Sequence, residues 1–293
     1  MILSINPIVI DSEKALEHVA RTLEEESHIA IDTESNGFYA YFERICLIQI
    51  STKDADYVID TLAMDTLEPL ASVLANPRVE KIFHAASNDI LGLKRDFSFR
   101  FENLFDTAVA CKMLGYRRLG LASVLKLHFG IELNKKWQRF NWGKRPLASQ
   151  QLRYACFDTH FLIPLRDLLA SELLRLGLWN SAQRAFSRLC TLQAPDKGRF
   201  RNGYYRIRGF EKLDDAGKRI LKFLYKYRDR LARTKDRAPF RIMSNETLVR
   251  LATLKPQSER ELLTVKGIPR SCAKEQMTRQ ILKIITAALQ RET

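Results

Sequence analysis

Three short segments place carboxylates where a chain built only for folding has little use for them. Ile29-Ala30-Ile31 runs straight into Asp32-Thr33-Glu34. Side chains alternate along a strand, so Asp32 and Glu34 share one face while Ile31 and Thr33 share the other. Two carboxylates about 7 Å apart at the end of an apolar strand repel each other unless a cation sits between them. Asp89 follows the apolar run ending at His84 and a few small residues, in the first turn of a helix leaving a sheet. Tyr154 and Asp158 stand four residues apart, on one face of a helix that continues apolar through Phe161, Leu162 and Ile163. Each segment alone has an ordinary reading: a solvent-facing strand end, a first-turn acid favourable to the helix dipole, an exposed Tyr and Asp pair. Together, four carboxylates from three segments could converge on hard cations, which prefer oxygen ligands. Two such ions about 3.5–4 Å apart stabilise the attacking and leaving oxygens of a phosphodiester displacement. A tyrosine beside them can hold or polarise the attacking water. Spacing by itself leaves the convergence open.

The elements that must position these residues are legible in outline. Residues 12–26 carry Ala15, Leu16, Val19, Ala20 and Leu23 on one helical face. Strand-like runs follow at 28–34, 45–52 and 56–60, then a helix near 65–75 and a short buried strand at 80–85. From there the period is helical, near 87–95, 103–113, 119–128, 149–156 and 158–176. Strands mixed with helices, then helices alone, predict an α/β domain with one central sheet. Beyond residue 211 every segment is helical, with stops at Pro239, Pro256, Gly267 and Pro269 and a last helix over 271–290. Four or five short helices over about 80 residues make a small all-α bundle. The expected division is 1–180, a basic aromatic linker at 181–210, and a bundle at 211–293.

The chain has 293 residues, 46% of them apolar and 28% charged, the balance of a folded soluble protein. No stretch approaches the roughly 18 consecutive apolar residues of a membrane helix, and the first residues lack the pattern of a secretory signal. Five cysteines are odd in number, scattered and never in a C-x-x-C pair, which predicts a reducing, cytoplasmic setting rather than a disulfide or thiolate-zinc scaffold. The charge is uneven. Residues 1–195 hold 23 Lys and Arg and 23 Asp and Glu, whereas residues 196–293 hold 25 against 11, which accounts for the whole excess of +14. A neutral part joined to a basic part suggests a core unit beside a polyanion-binding unit.

At the acidic segments the chain resembles the ribonuclease D family of 3′→5′ exonucleases, the tyrosine-bearing branch of the DEDD superfamily. The matching pieces are IAIDTE (29–34), CLIQIS (46–51), KIFHAASND (81–89), LFDTAVACKMLGY (104–116), W-x-x-RPL (142–147) and LRYACFDTHFLIPL (152–165), in the family's order over roughly 1–180. The resemblance implies that Asp32, Glu34, Asp89 and Asp158 ligate two Mg²⁺ or Mn²⁺ ions and that Tyr154 positions the nucleophilic water. It implies a ribonuclease H-like mixed sheet flanked by helices, acting on RNA 3′ ends such as tRNA precursors or other structured RNA. Residues 211–291 resemble the HRDC domain shared by RecQ-type helicases and ribonuclease D. Some members carry two such bundles, and this chain has length for one. Ser35-Asn36, where larger or apolar residues are frequent in the family, is a second departure.

Other features carry two readings each. Residues 197–210 interleave Arg199, Arg201, Arg206 and Arg208 with Phe200, Tyr204, Tyr205 and Phe210, so they either bind phosphates and unpaired bases or dock the linker on a domain. His84 reads as a strand end rather than a metal ligand, Asp106 as a helix-start acid rather than a catalytic one, and Trp137 and Trp142 as flanks of a substrate groove or as core. Two rivals to an exoribonuclease stand: a 3′→5′ exodeoxyribonuclease, since carboxylates are indifferent to the sugar, and a silent nucleic-acid-binding module. The intact set of four acids with Tyr154 speaks against silence. Oligomeric state has no signal in the sequence.

Overall fold

A computed structural model describes residues 6–133, 136–194, 199–268 and 275–290. The chain forms two compact units that divide at Pro195/Asp196, with Gly37–Glu43 counted in the second.

The first unit is built on six strands: β1 (Ile8–Ile10), β2 (His28–Ser35), β3 (Ile45–Ser51), β4 (Asp56–Asp60), β5 (Glu80–Phe83) and β6 (Leu104–Asp106), in the order β1-β4-β3-β2-β5-β6. β2, β5 and β6 run parallel to one another, as do β1 and β4, while β3 is antiparallel to both of its neighbours. This is the expected mixed sheet. Its central strands are covered on both faces, so Ile29, Ala30 and Ile31 are all buried and show no alternation. The helices are α1 (Glu13–Glu24), α2 (Pro69–Ala75), α3 (Ser87–Phe97), α4 (Thr107–Met113), α5 (Leu121–Phe129), α6 (Ser149–His160), α7 (Leu162–Arg175) and α8 (Trp179–Cys190). On one face of the sheet, Ile48, Ile50 and Ile59 pack into the main core with Leu16 and Leu23 of α1 and Leu93 of α3. On the other, Leu47 and Val58 meet Ala155 and Cys156 of α6 over Trp142.

Several boundaries differ from the sequence reading, each for a local reason. Residues 104–106, expected within a helix, form β6, because Phe105 pairs with Ile82 of β5 and is fully buried. The expected break between helices near residue 157 falls instead at Phe161. Pro164 lacks an N–H and its ring collides with the carbonyl four residues back, that of His160. Tyr154 and Asp158 consequently lie on one unbroken helix. Part of the expected linker is α8, whose Phe186 packs against Phe105 with ring centroids 4.6 Å apart; the first unit therefore runs past residue 180.

The second unit holds a 3₁₀ segment Arg199–Arg206, a short turn Phe210–Lys212, and α9 (Asp215–Thr234), α10 (Pro239–Ile242), α11 (Asn245–Leu254), α12 (Glu259–Thr264) and α13 (Glu275–Gln290). Ile220, Leu221 and Leu224 of α9 pack with Leu248 and Leu251 of α11, Leu262 of α12, and Ile281 and Ile285 of α13. Asp214, Ser244 and Ser258 cap α9, α11 and α12 by accepting backbone N–H groups. Gly37–Glu43 joins this unit through its aromatics. The Phe38 ring lies 4.9 Å from that of Phe240, Arg241 donates to the Phe38 carbonyl at 2.7 Å, and the Tyr41 hydroxyl donates to Asp229 at 3.0 Å.

Within the first unit the position of Gln49 is out of keeping with its apolar surroundings. Gln49, on fully buried β3, is 0% exposed, and neither amide atom has a hydrogen-bond partner among the described residues. A buried unpaired polar group costs about 1–3 kcal/mol, so Gln49→Leu is expected to raise stability by about 1 kcal/mol in chemical denaturation. A loss of stability would mean that the amide has a partner.

Candidate active site

The parallel pairing of β2 and β5 brings their carboxyl-terminal ends to the same edge of the sheet, the usual place for a site in an α/β unit. Asp32 and Glu34 lie at that end of β2, opposite Gln49 and Leu47 of β3. Leu47 faces α6, and cross-strand partners share a face, so Asp32 and Glu34 face α6 too. α6 carries Tyr154 and Asp158 one turn apart. Asp89 enters from the first turn of α3, just beyond β5. The three acidic segments therefore meet at one edge.

Asp89 is held by a residue whose type gave no warning. Thr33, on the opposite face of β2 from Asp32, donates its hydroxyl to Asp89 Oδ1 at 2.6 Å. The alternation that assigns Thr33 to the α3 side was visible in the sequence; that α3 would bring Asp89 to it was not. The turn between β5 and α3 puts Ala85 at φ +64°, a left-handed conformation that is costly for a residue with a Cβ. Asp106, 1% exposed, holds that turn. It accepts the N–H groups of Ala85 at 3.1 Å and Ala86 at 2.9 Å, and caps α4 through those of Ala108 and Val109. It is the helix-start acid expected from sequence, and it also fixes the turn that delivers Asp89. His84 lies just past β5, its Nδ1 2.8 Å from the Thr107 hydroxyl, and burial lowers its pKa.

Tyr154 stacks on Trp142 with centroids 6.2 Å apart and planes 22° from parallel. Trp142 is 1% exposed and so belongs to the core. Trp137 instead lines a cleft of about 550 Å³ together with Glu34, Tyr154, Phe157, Asp158 and Arg153.

The electrostatics follow from crowding like charges away from water. Burial, then the charges of Asp89, Asp158 and Glu34, pushes Asp32 well above the ordinary carboxylate range. Glu34 is raised well above its usual value by burial and by Asp158 and Asp89. Burial raises Asp158 to about 6, and it raises Asp89 to about 6 against the opposing Thr33 hydrogen bond. The Tyr154 phenol is pushed up by burial and by the charges of Asp158, Glu34 and Asp32, so at neutral pH it keeps its proton and can donate it in a hydrogen bond. Among the described residues no Lys or Arg ion-pairs with any of the four acids. A hard divalent cation suits this all-oxygen donor set, which no described Lys or Arg ion-pairs, though Lys136 and Arg153 line the same cleft. As the side chains stand, no group of three or more His, Cys, Asp or Glu among the described residues is placed to hold a metal ion. The acids are thus near enough to perturb one another without forming a cage.

The basic aromatic segment divides. Tyr204 is half-buried against Phe210 and Tyr225, whereas Tyr205 is 48% exposed beneath the Arg206 guanidinium, and Arg208 is exposed. The side chains of Arg199 and Arg201 lie outside the described residues.

Comparison with known proteins adds a family to this geometry. Residues 7–174 match the family described as 3′-5′ exonuclease, and residues 217–285 match the HRDC domain. The chain is 34% identical over 290 residues to Exosome complex component 10 homolog of Caenorhabditis elegans, covering 96% of this chain and 32% of that protein. It is 31% identical over 261 residues to Ribonuclease D of Haemophilus influenzae, covering 87% of this chain and 64% of that protein. The solved catalytic core of RRP6 from Trypanosoma brucei superposes with a TM-score of 0.84 at 29% identity, over 99% of this chain and 81% of that one. The chain spans less than two thirds of the length of these two curated relatives.

Two expectations follow from the geometry. Asp106→Ala leaves four N–H groups without their acceptor and is expected to cost about 3 kcal/mol in chemical denaturation; a loss below about 1 kcal/mol would show that the turn does not depend on it. Asp89 and Asp158 bind protons more readily folded, with pKa values of about 6, than unfolded. In chelator these groups therefore remove stability as pH rises from about 4 towards 6. Asp158→Asn is expected to lose less stability over that interval than the unaltered chain, and an equal loss would contradict the assignment.

Proposed function

We propose that this chain, which belongs to the 3′-5′ exonuclease family and carries an HRDC domain, removes nucleotides one at a time from RNA 3′ ends and releases nucleoside 5′-monophosphates. The observation that carries the reading is the set of four carboxylates at one sheet edge, without a Lys or Arg ion-pair partner among the described residues, of which Glu34 and Asp158 line an open cleft with Tyr154. Asp32, Glu34, Asp89 and Asp158 would hold two divalent ions, Mg²⁺ or Mn²⁺. Such ions supply positive charge for the attacking and leaving oxygens of the phosphodiester.

The protein's own residues do the rest. Tyr154, protonated and stacked on Trp142, directs its hydroxyl towards the water that adds to phosphorus as the bond to the 3′ oxygen breaks. The Thr33 hydroxyl fixes one oxygen of Asp89 and so its orientation. Trp137 and Phe157 line the cleft as apolar surface suited to the terminal base. RNA is favoured as substrate by the likeness to Ribonuclease D, and 3′ ends of tRNA precursors or other structured RNA fit that likeness. DNA is the competing substrate, which a site distinguishes through the 2′-hydroxyl. Arg199, Arg201, Tyr204, Tyr205, Arg206 and Arg208 join this proposal as nucleic-acid contacts of the basic unit. Tyr205 and Arg206 have the strongest support, being exposed and stacked on each other. The cytoplasmic setting expected from the free cysteines belongs to the same proposal.

The test is a degradation ladder of 5′-labelled RNA and DNA oligomers with Mg²⁺, Mn²⁺ or chelator. Single-nucleotide shortening from the 3′ end is expected with metal and none with chelator. Asp32→Ala and Asp158→Ala are expected to lower the rate by about 10³-fold, equivalent to about 4 kcal/mol of transition-state stabilisation. Tyr154→Phe is expected to cost about 10²-fold with little loss of binding. Undiminished cleavage in the aspartate variants would overturn the reading.

A further inference from the structure

A second hollow of about 690 Å³ opens beside the cleft in the first unit. The two share Ala122, Ser123, Glu132 and Leu133, so they adjoin, with Glu34 and Asp158 lining the first alone. In the second stand Arg117 and Arg118, on the loop 114–120 that joins α4 to α5. Both are exposed, and neither ion-pairs with a described carboxylate. Lys126, on the same wall, is engaged by Glu132 at 2.6 Å. The root of the loop is fixed. The Tyr116 hydroxyl lies 3.0 Å from His128 Nε2 and 3.3 Å from Glu172, and the Tyr116 ring stacks on that of His128. The two guanidiniums are therefore presented from an anchored base, and no part of the catalytic account uses them.

Glu34 and Asp158 thus stand in the first cleft, beside Lys136 and Arg153, and two guanidiniums without an ion-pair partner among the described residues stand in the hollow next to it. A strand whose 3′-terminal phosphodiester lies among the carboxylates must carry its next phosphates away from them, and the adjoining hollow offers guanidiniums to receive those phosphates. Arginine suits this role because its planar donors match phosphate oxygens. We propose that this hollow is a binding site for the single-stranded RNA upstream of the scissile bond, with Arg117 and Arg118 as its phosphate contacts. The inference rests on the exonuclease reading and adds where the rest of the strand lies.

The experiment compares the unaltered chain with R117A/R118A and with R184A/R188A, which removes two exposed charges from α8 elsewhere on the same unit. Oligoadenylates of two to twelve nucleotides serve as substrates over a range of salt. For the longest, R117A/R118A is expected to raise KM about tenfold and to reduce the slope of log KM against log salt by about 1.4, the value of two single-strand phosphate contacts. The rise in KM is expected to shrink as the oligomer shortens, and R184A/R188A to leave KM and its salt slope unchanged at every length. A KM effect independent of length, no effect, or an equal effect in R184A/R188A overturns the proposal while leaving the exonuclease reading intact. Failure of the unaltered chain to shorten any oligomer overturns the reading itself, and the assignment of the hollow with it.

Discussion

Four carboxylates brought from three segments to one edge of a sheet repel one another, and the rest of the first unit exists to hold them there. Burial raises the proton affinity of all four acids, and for Asp32 and Glu34 the like charges of their neighbours raise it further. Such crowding opposes folding unless the surroundings compensate. Two-sided burial of β2 and β3, with Ile29, Ile31, Ile48 and Ile50 at most 2% exposed, supplies a stable platform for it.

Positioning is divided among residues that carry no chemistry themselves. Asp106 gathers four backbone N–H groups and steadies the left-handed Ala85, from which α3 delivers Asp89. Thr33, on the α3 face of β2, donates to the same carboxylate. Trp142, buried, gives Tyr154 a flat surface to lie on. Pro164 ends α6 only after Asp158 has been placed a turn beyond Tyr154. The site thus belongs to the sheet edge and its helices together.

Much of this was legible in the residues. The apolar runs of β2, β3 and β4 and the period of α1 place the central sheet, and the i, i+4 spacing of Tyr154 and Asp158 places them on one helix face. What escaped depends on contacts between segments. β6 has three residues, too few to show a period, and becomes a strand by pairing with β5. Phe38, Tyr39, Tyr41 and Phe42 crowd a loop that looks like an ordinary hairpin connection until the second unit accepts it. α8 was hidden in a stretch rich in Arg and aromatics, although Phe186 marks its buried side. Gln49 sits in an apolar run and gave no sign that its amide would face the same layer as Asp32.

The central claim is that the grouped acids take up divalent cations. Calorimetric titration of Mn²⁺ into the chelator-stripped protein near pH 6, in two buffers of different ionisation enthalpy, reads affinity and proton release together. Saturable uptake with protons displaced into the buffer, both lost in Asp32→Asn and Asp158→Asn variants that remain folded, is the expected result. Equal Mn²⁺ affinity in those variants and in the unaltered chain would contradict it.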